Sequence, residues 1–444
     1  MSKFILSLLL MICLSTYGQT NQLKLSNDVI SFNGEKELTY NLRFKKDNIY
    51  IIKVYQEHID IEINLLNSDQ EKVASVDLAD GNKGYDKLEF VPKVSGAYTV
   101  IIRSVSPKPA PNGLVKLTIT ALGRAEIKRR EKIATTLAGE NAKDITTVDI
   151  KHFWEAYDKL KNARSFEDSV NIIQTYYLDH ATNGLKEFQR VRYFSAEFYI
   201  ERIKKYRKFY DSVRENTNLF LDPASLKEII SETRSIYPNG KPAKIALTMG
   251  PMSSGGALSN NYVLIGIEML AGDKNCDVSE ITNENLKTDI LSRSNQTDVL
   301  NFVKETIAHE YIHTQQKAIN KEACQCLLLE NVVKEGVASF ISEALIMKRK
   351  QETASRASLY ATVHEKELWQ EMKNELCTKN LQNWLFNAST SKERPGDLGY
   401  RIGYKIAEAF YNNQSDKTTA IREMIEMDDP LIFLNKSKYD LKFR

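Results

Sequence analysis

The 444-residue sequence predicts a multidomain protein, with an all-β sandwich or jelly roll followed by a mainly helical α+β region. Three observations carry this reading. Residues 21–122 alternate apolar and polar side chains between turn signals, as half-buried strands do. From 124 onward the pattern becomes helical and densely charged. Only two further β-rich runs, 243–249 and 261–270, interrupt it. The length suits two or three domains. Lys and Arg number 61 against 58 Asp and Glu, and the net charge of +3 lacks the basic excess of a nucleic-acid binder.

The chain opens with Lys3 and the apolar run Phe4-Ile5-Leu6-Ser7-Leu8-Leu9-Leu10-Met11-Ile12-Cys13-Leu14, followed by small residues at Thr16 and Gly18. This is the pattern of a secretory signal peptide, here 1–18, and it places the mature chain in a secreted or periplasmic location. The run is too short to span a bilayer, so no transmembrane helix is expected in the mature chain. Ile12 before Cys13 is bulkier than lipoprotein processing accepts. Removing Cys13 leaves Cys276, Cys324, Cys326 and Cys377, an even number in a disulfide-permissive compartment. They read as one or two structural disulfides.

Within 21–122, Tyr50 to Tyr55, Ile59 to Leu65 and Tyr98 to Ile102 are β-branched or aromatic runs. Asn67-Ser68-Asp69, Asp80-Gly81-Asn82 and Ser95-Gly96 supply turns, and the Pro-rich piece 106–111 precedes a last strand at 114–120. Short strands at this spacing suggest a small sandwich. The segment Ile59 to Leu65 and then Ser95-Gly96-Ala97-Tyr98-Thr99-Val100 resemble the pre-peptidase C-terminal type of jelly-roll domain found on secreted bacterial proteases. Such a module docks substrates, sugars or envelope components, or covers the domain that follows. In 124–235 the basic clusters at 124–132 and 202–208 read as solvated helix faces, and the aromatics of 194–210 as a core stripe. That helical segment leads into 236–444, where the chemistry-bearing residues lie.

His309-Glu310-Tyr311-Ile312-His313 sits in a run whose apolar residues keep helical spacing. On a helix, positions i and i+4 share a face, so His309 and His313 can converge on one metal ion. Glu310 lies one position round, where its carboxylate can take a proton from a metal-activated water. Two histidines with a carboxylate third ligand suit zinc, one ion per chain. The bland alternative is a pair of histidines hydrogen-bonded on a helix face.

A catalytic zinc keeps three protein ligands and an open position. The pattern H-E-x-x-H-x-x-G-x-x-H is excluded, because Gln316 and Ile319 stand at its Gly and His positions. Glu322, Glu330, Glu335 and Glu343 qualify by type. Glu335 is preferred, in Lys334-Glu335-Gly336-Val337-Ala338. A helix-interior glycine costs about 1 kcal/mol against alanine, and a close approach of this helix to the histidine helix would explain it. Otherwise Glu335 is a surface residue and Gly336 a local irregularity.

The His309 motif followed by Glu335-Gly336-Val337-Ala338 is similar to the gluzincin arrangement of thermolysin-like proteases and zinc aminopeptidases. More narrowly, the sequence resembles predicted Zn-dependent proteases related to gliding-motility B lipoproteins. The resemblance runs through Asp149-Ile150-Lys151-His152-Phe153-Trp154, Val263-Leu264-Ile265-Gly266-Ile267-Glu268, the His309 motif with Gln315-Gln316, Glu335-Gly336, Gly399 to Tyr404, and Phe433 to Tyr439. It implies a zincin-like metallopeptidase domain over 236–444, in a bacterial cell envelope and with a peptide or protein substrate. It also implies His309, His313 and Glu335 as zinc ligands and Glu310 as the base. Ser339 departs from the pattern, standing where gluzincins often carry an Asp that orients a zinc histidine.

Gly399-Tyr400-x-x-Gly403 resembles the Y-x-x-G segment of gluzincin aminopeptidases, which implies that Tyr400 donates to the oxyanion. Its alternative is a packed aromatic among 21 tyrosines. Gly266-Ile267-Glu268-Met269 lies where gluzincins have a substrate-binding edge strand, and Glu268 is equally suited to a structural role. The exopeptidase signature G-x-M-x-N is missing, which tilts the reading to an endopeptidase. The competing class is a non-catalytic zinc-binding envelope or assembly protein that keeps the fold. An intact Glu310 favours the enzyme, since a scaffold needs no base there.

Overall fold

The β-branched and aromatic runs of the N-terminal part fold as antiparallel strands. The computed structural model describes residues 21–443 apart from 24–28, 78–81, 260, 319–325, 349–355, 389 and 392. The apolar segment 4–14, the turn residues Asp80 and Gly81, Glu322 and Cys324 lie outside the described residues. The chain divides into two units, Met1–Thr136 and Leu137–Arg444.

The first unit holds β1 (Asn21–Leu23), β2 (Ile30–Asn33), β3 (Leu38–Phe44), β4 (Tyr50–Glu57), β5 (Ile61–Leu66), β6 (Lys72–Val76), β7 (Lys83–Phe90), β8 (Gly96–Ser104) and β9 (Asn112–Ala121). One sheet runs β1-β9-β4-β7 with β2 also on β9, and the other runs β3-β8-β5-β6. Period-two alternation sends Ile52 and Val54 inward from the first sheet and Ile61, Ile63, Val100 and Ile102 from the second, all fully buried in one core. The Asn67 side chain closes the turn between β5 and β6, accepting from the Asp69 N–H at 3.0 Å and the Glu71 N–H at 2.9 Å.

The second unit is mainly helical around one small sheet. Its strands are β10 (Ile145–Thr146), β11 (Lys244–Thr248), β12 (Gly256–Ser259) and β13 (Tyr262–Gly266), in the order β10-β11-β13-β12. The first three are parallel, and β12 lies antiparallel on the edge. The segment 124–235 supplies β10 to this sheet. Ile245, Ala246, Leu247, Val263, Leu264 and Ile265 are all fully buried. Strands covered on both faces read as continuous apolar runs, which is why these two stand out in the sequence.

Two expectations change here. The run 261–270 is not one strand: β13 ends at Gly266, and Ile267–Leu270 form a helical turn. The edge strand is β12, not the segment 266–269, because β13 is paired on both sides. The cause is Glu268. Fully buried, its carboxyl is pushed up to about 7 by desolvation, and it accepts from the Gly250 N–H at 2.6 Å and the Met252 N–H at 3.1 Å. The hydroxyls of Tyr177 and Tyr199 donate to the Met249 carbonyl at 2.6 and 2.8 Å, and that of Tyr210 to Gly250 at 2.8 Å. These bonds fold the Gly/Ser loop back so that Gly256 pairs with Ile265. Cys326 and Cys377 form a disulfide, and Cys276 is a buried free thiol. No helix among the described residues is long and apolar enough to cross a membrane.

Candidate metal centre

The histidine helix, Gln296–Gln315, starts at Asn295, whose side chain accepts from the Asp298 N–H at 3.0 Å. Val299, Val303, Ile307, Ala308, Tyr311 and Ile312 bury one face of it. Packing that stripe on β12 and β13 turns His309 and His313 toward the neighbouring helix Leu327–Phe340. The second helix is buried along most of its length, and the Cys326–Cys377 disulfide ties down its start.

Glu335 meets both histidines. Its Oε2 lies 3.2 Å from His309 Nε2 and 3.1 Å from His313 Nε2, and the two Nε2 atoms are 3.0 Å apart. Among the described residues this is the one group of three His, Cys, Asp or Glu side chains near enough to hold an ion. Three donors placed about 2.0–2.1 Å from a tetrahedral zinc stand about 3.3 Å from one another. The observed triangle has nearly that edge, and two imidazole nitrogens with one carboxylate oxygen are a zinc donor set. The residues fit the metal. Glu330 is instead paired with Lys334 at 3.2 Å, and Glu343 with Arg401 at 2.8 Å.

The surroundings bias both histidine and carboxylate. Burial works against a charged His313, but the hydrogen bond and charge of Glu335, then Glu310, outweigh it and raise the imidazole to about 9. Burial likewise opposes a charged Glu335, yet its bonds to His309 and His313 bring it down to about 2. His313 Nδ1 lies 2.8 Å from Gln316 Oε1, which fixes the tautomer with Nε2 facing Glu335. Ser339 Oγ stands 3.4 Å from His309 Nδ1, a looser hold.

Glu310 stays off the triangle and borders the sheet edge, where a Cβ added at Gly256 would stand 3.9 Å from its carboxyl carbon. Tyr400, on helix Leu398–Asn413, brings its ring 6.1 Å from that of His309. Burial, then the negative charge of Glu335, Asp397 and Glu310, hold its phenol well above the ordinary value, and it also hydrogen-bonds Glu335. Tyr404, one turn on, packs against Phe340 at 5.4 Å. Gly336 corrects an expectation. It faces the tyrosine helix, not the histidine helix: a Cβ built on it would overlap the Gly403 backbone, and one built on Gly403 would lie 2.9 Å from the Gly336 Cα.

Residues 289–429 match the family model described as a predicted Zn-dependent protease (DUF2268). The matched region contains all three helices with His309, Glu310, His313, Glu335, Ser339 and Tyr400, while Gly256 lies before it. The chain is also similar to the pre-peptidase C-terminal domain of a collagenase from Bacillus anthracis, at 19% identity over 21% of this chain and 88% of that one, with a TM-score of 0.17. Comparison with curated proteins finds no match.

Sequence reasoning assigned no role to Gln316 or Gly256. Gln316 alone carried a local signal, being three residues after His313 at the end of the same helix. Its neighbour Gln315 does something else, clasping Lys241 through bonds of 2.7 and 3.1 Å that anchor the helix end.

Proposed function

We propose that this chain is a secreted or periplasmic zinc metallopeptidase, with His309, His313 and Glu335 as the ligands of one zinc ion. The observation that carries the reading is the three-atom donor triangle with Glu310 beside it, facing a sheet edge. Zinc held there supplies Lewis acidity that makes water a nucleophile at neutral pH. Glu310 takes the proton of the attacking water and passes it to the departing amine. Tyr400, kept protonated by its surroundings, donates to the oxyanion that develops on the scissile carbonyl.

The edge strand β12 suits an extended peptide. The Gly255 carbonyl bonds inward to Gly266 at 3.1 Å, so alternation turns the backbone groups of Gly256 and Leu258 outward. Arg192 donates to the Gly256 carbonyl at 3.0 Å, and we assign the outward groups of Leu258 to substrate pairing. The long 3.4 Å contact from Ser339 to His309 favours the second reading, a zinc-binding envelope protein without turnover.

One experiment separates them. The purified mature protein should carry about one zinc per chain and digest a peptide library, while Glu310→Gln keeps the zinc and loses hydrolysis. Equal cleavage by both proteins refutes Glu310 as the base. Stoichiometric zinc with no cleavage by either establishes the second reading.

A further inference from the structure

Phe386 shares with Tyr193 an exposed aromatic side chain on a left-handed backbone, and differs from it in standing against Tyr400 of the centre. Its side chain is 61% exposed, and its backbone takes φ 58°, the left-handed region that an aromatic residue rarely adopts. The loop around it is closed. The Asn387 N–H donates to Asp397 Oδ1 at 2.9 Å, and the Asp397 N–H returns a bond to Asn387 Oδ1 at 2.6 Å. The Gly399 N–H donates to the Trp384 carbonyl at 2.8 Å. Trp384 and Leu385 are fully buried. The fold therefore buries the two residues before Phe386, pins the one after it, and leaves the ring in water.

That ring lies beside Tyr400. It meets Tyr400 edge-on, with centroids 6.2 Å apart and an interplanar angle of 88°, and Tyr400 in turn lies 6.1 Å from His309. Successive residues of an extended peptide advance about 3.3 Å. A peptide with its scissile carbonyl at the histidines thus brings a nearby side chain within reach of Phe386. Single exposed apolar side chains are ordinary on a protein surface. A left-handed backbone held by a closed loop beside the site is not.

We infer that Phe386 is a specificity-determining residue, walling an apolar subsite that takes a large apolar side chain, aromatic above all, near the scissile bond of a peptide substrate. The inference rests on the metallopeptidase reading above. Its physical basis is an edge-to-face or stacked contact that the free protein leaves unfilled.

The test uses the zinc-loaded mature chain and two peptide hydroxamates differing only in a benzyl or a methyl side chain beside the metal-binding group. Calorimetry reads their affinities without turnover. Wild type should favour the benzyl probe by about tenfold or more. Phe386→Gly, which also relieves the left-handed backbone, should bring that ratio near one with zinc content and melting temperature at or above wild type. Phe386→Leu should fall between. An unchanged benzyl preference in Phe386→Gly, no preference in wild type, or loss of zinc and folding in both variants overturns the subsite and leaves the metal reading standing. Failure of both probes to bind zinc-loaded wild type overturns the metallopeptidase reading, and the subsite with it.

Discussion

Gln316 follows the last turn of the histidine helix in extended backbone, and its amide joins that helix to the one carrying Glu335. Oε1 accepts from His313 Nδ1 at 2.8 Å, and Nε2 donates at 2.9 Å to the carbonyl of Lys334, one residue before Glu335. Gln316→Ala removes both bonds. At about 0.5–1.5 kcal/mol each, the metal-free protein should lose about 1–3 kcal/mol of stability. His313 also loses the partner that fixes its tautomer, a change that lowers metal affinity about 10–100-fold. Gln316→Glu separates the two effects. Its carboxylate still accepts from Nδ1–H but faces the Lys334 carbonyl with no donor, so metal affinity should largely persist while stability falls. Zinc competition against a fluorescent chelator reads the first quantity, and urea unfolding of chelator-treated protein reads the second. Zinc affinity of Gln316→Ala within about twofold of wild type, against the expected 10–100-fold loss, would refute the reasoning. His313 would then be oriented by its place on the helix alone.

Tyr400→Phe should lower kcat by about 10²–10³-fold with little change in KM or zinc content, whereas Tyr404→Phe, packed on Phe340, should not; steady-state kinetics that reverse the two would move the donor by one helical turn. Gly403→Ala should destabilise the second unit by about 1–3 kcal/mol in urea melts, because its Cβ would overlap the Val332 carbonyl oxygen and crowd the Gly336 Cα. The exposed Gly139→Ala, with open space around it, should instead stabilise by about 0.5–1 kcal/mol. In metal-free protein His313 is raised from 6.5 to about 9 and Glu335 lowered from 4.5 to about 2. The stability they contribute is therefore fully present from 4.5 to 6.5, lost as pH rises through about 9, and lost again as it falls through about 2. The difference in unfolding free energy between wild type and Glu335→Gln should shrink from pH 6.5 toward 9; a flat difference would remove the ion pair. Zinc binding near pH 7.5 should release about one proton, read by calorimetry in buffers of different ionisation heat.

The spacing of His309 and His313 settles by itself that two imidazoles share a face, because the period of an α-helix makes i and i+4 neighbours whatever surrounds them. The strands of the β-sandwich are legible for the same kind of reason, since burying one face of a strand enforces a period of two. The continuous apolar runs of β11 and β13 likewise mark strands covered on both sides. Other features depend on which distant segments meet. Glu330, Glu335 and Glu343 qualify alike by residue type, and the glycine after Glu335 singles it out without saying what its carboxylate meets. The placement of helix Leu327–Phe340 and of the turn after it puts Glu335 on the histidines while Lys334 and Arg401 take the others. Gly336 announces a close approach without naming the partner, which proves to be Gly403. The Gly/Ser composition of 250–259 reads locally as loop, and β12 exists because a buried Glu268 far along the chain satisfies the amides of Gly250 and Met252. Tyr400 and Tyr404 occupy one helix face, and Phe340 decides which of them packs away from the centre. Period and composition are properties of a segment, but a ligand set, an edge strand and an exposed Phe386 are properties of contacts between segments, and only the tertiary structure makes those.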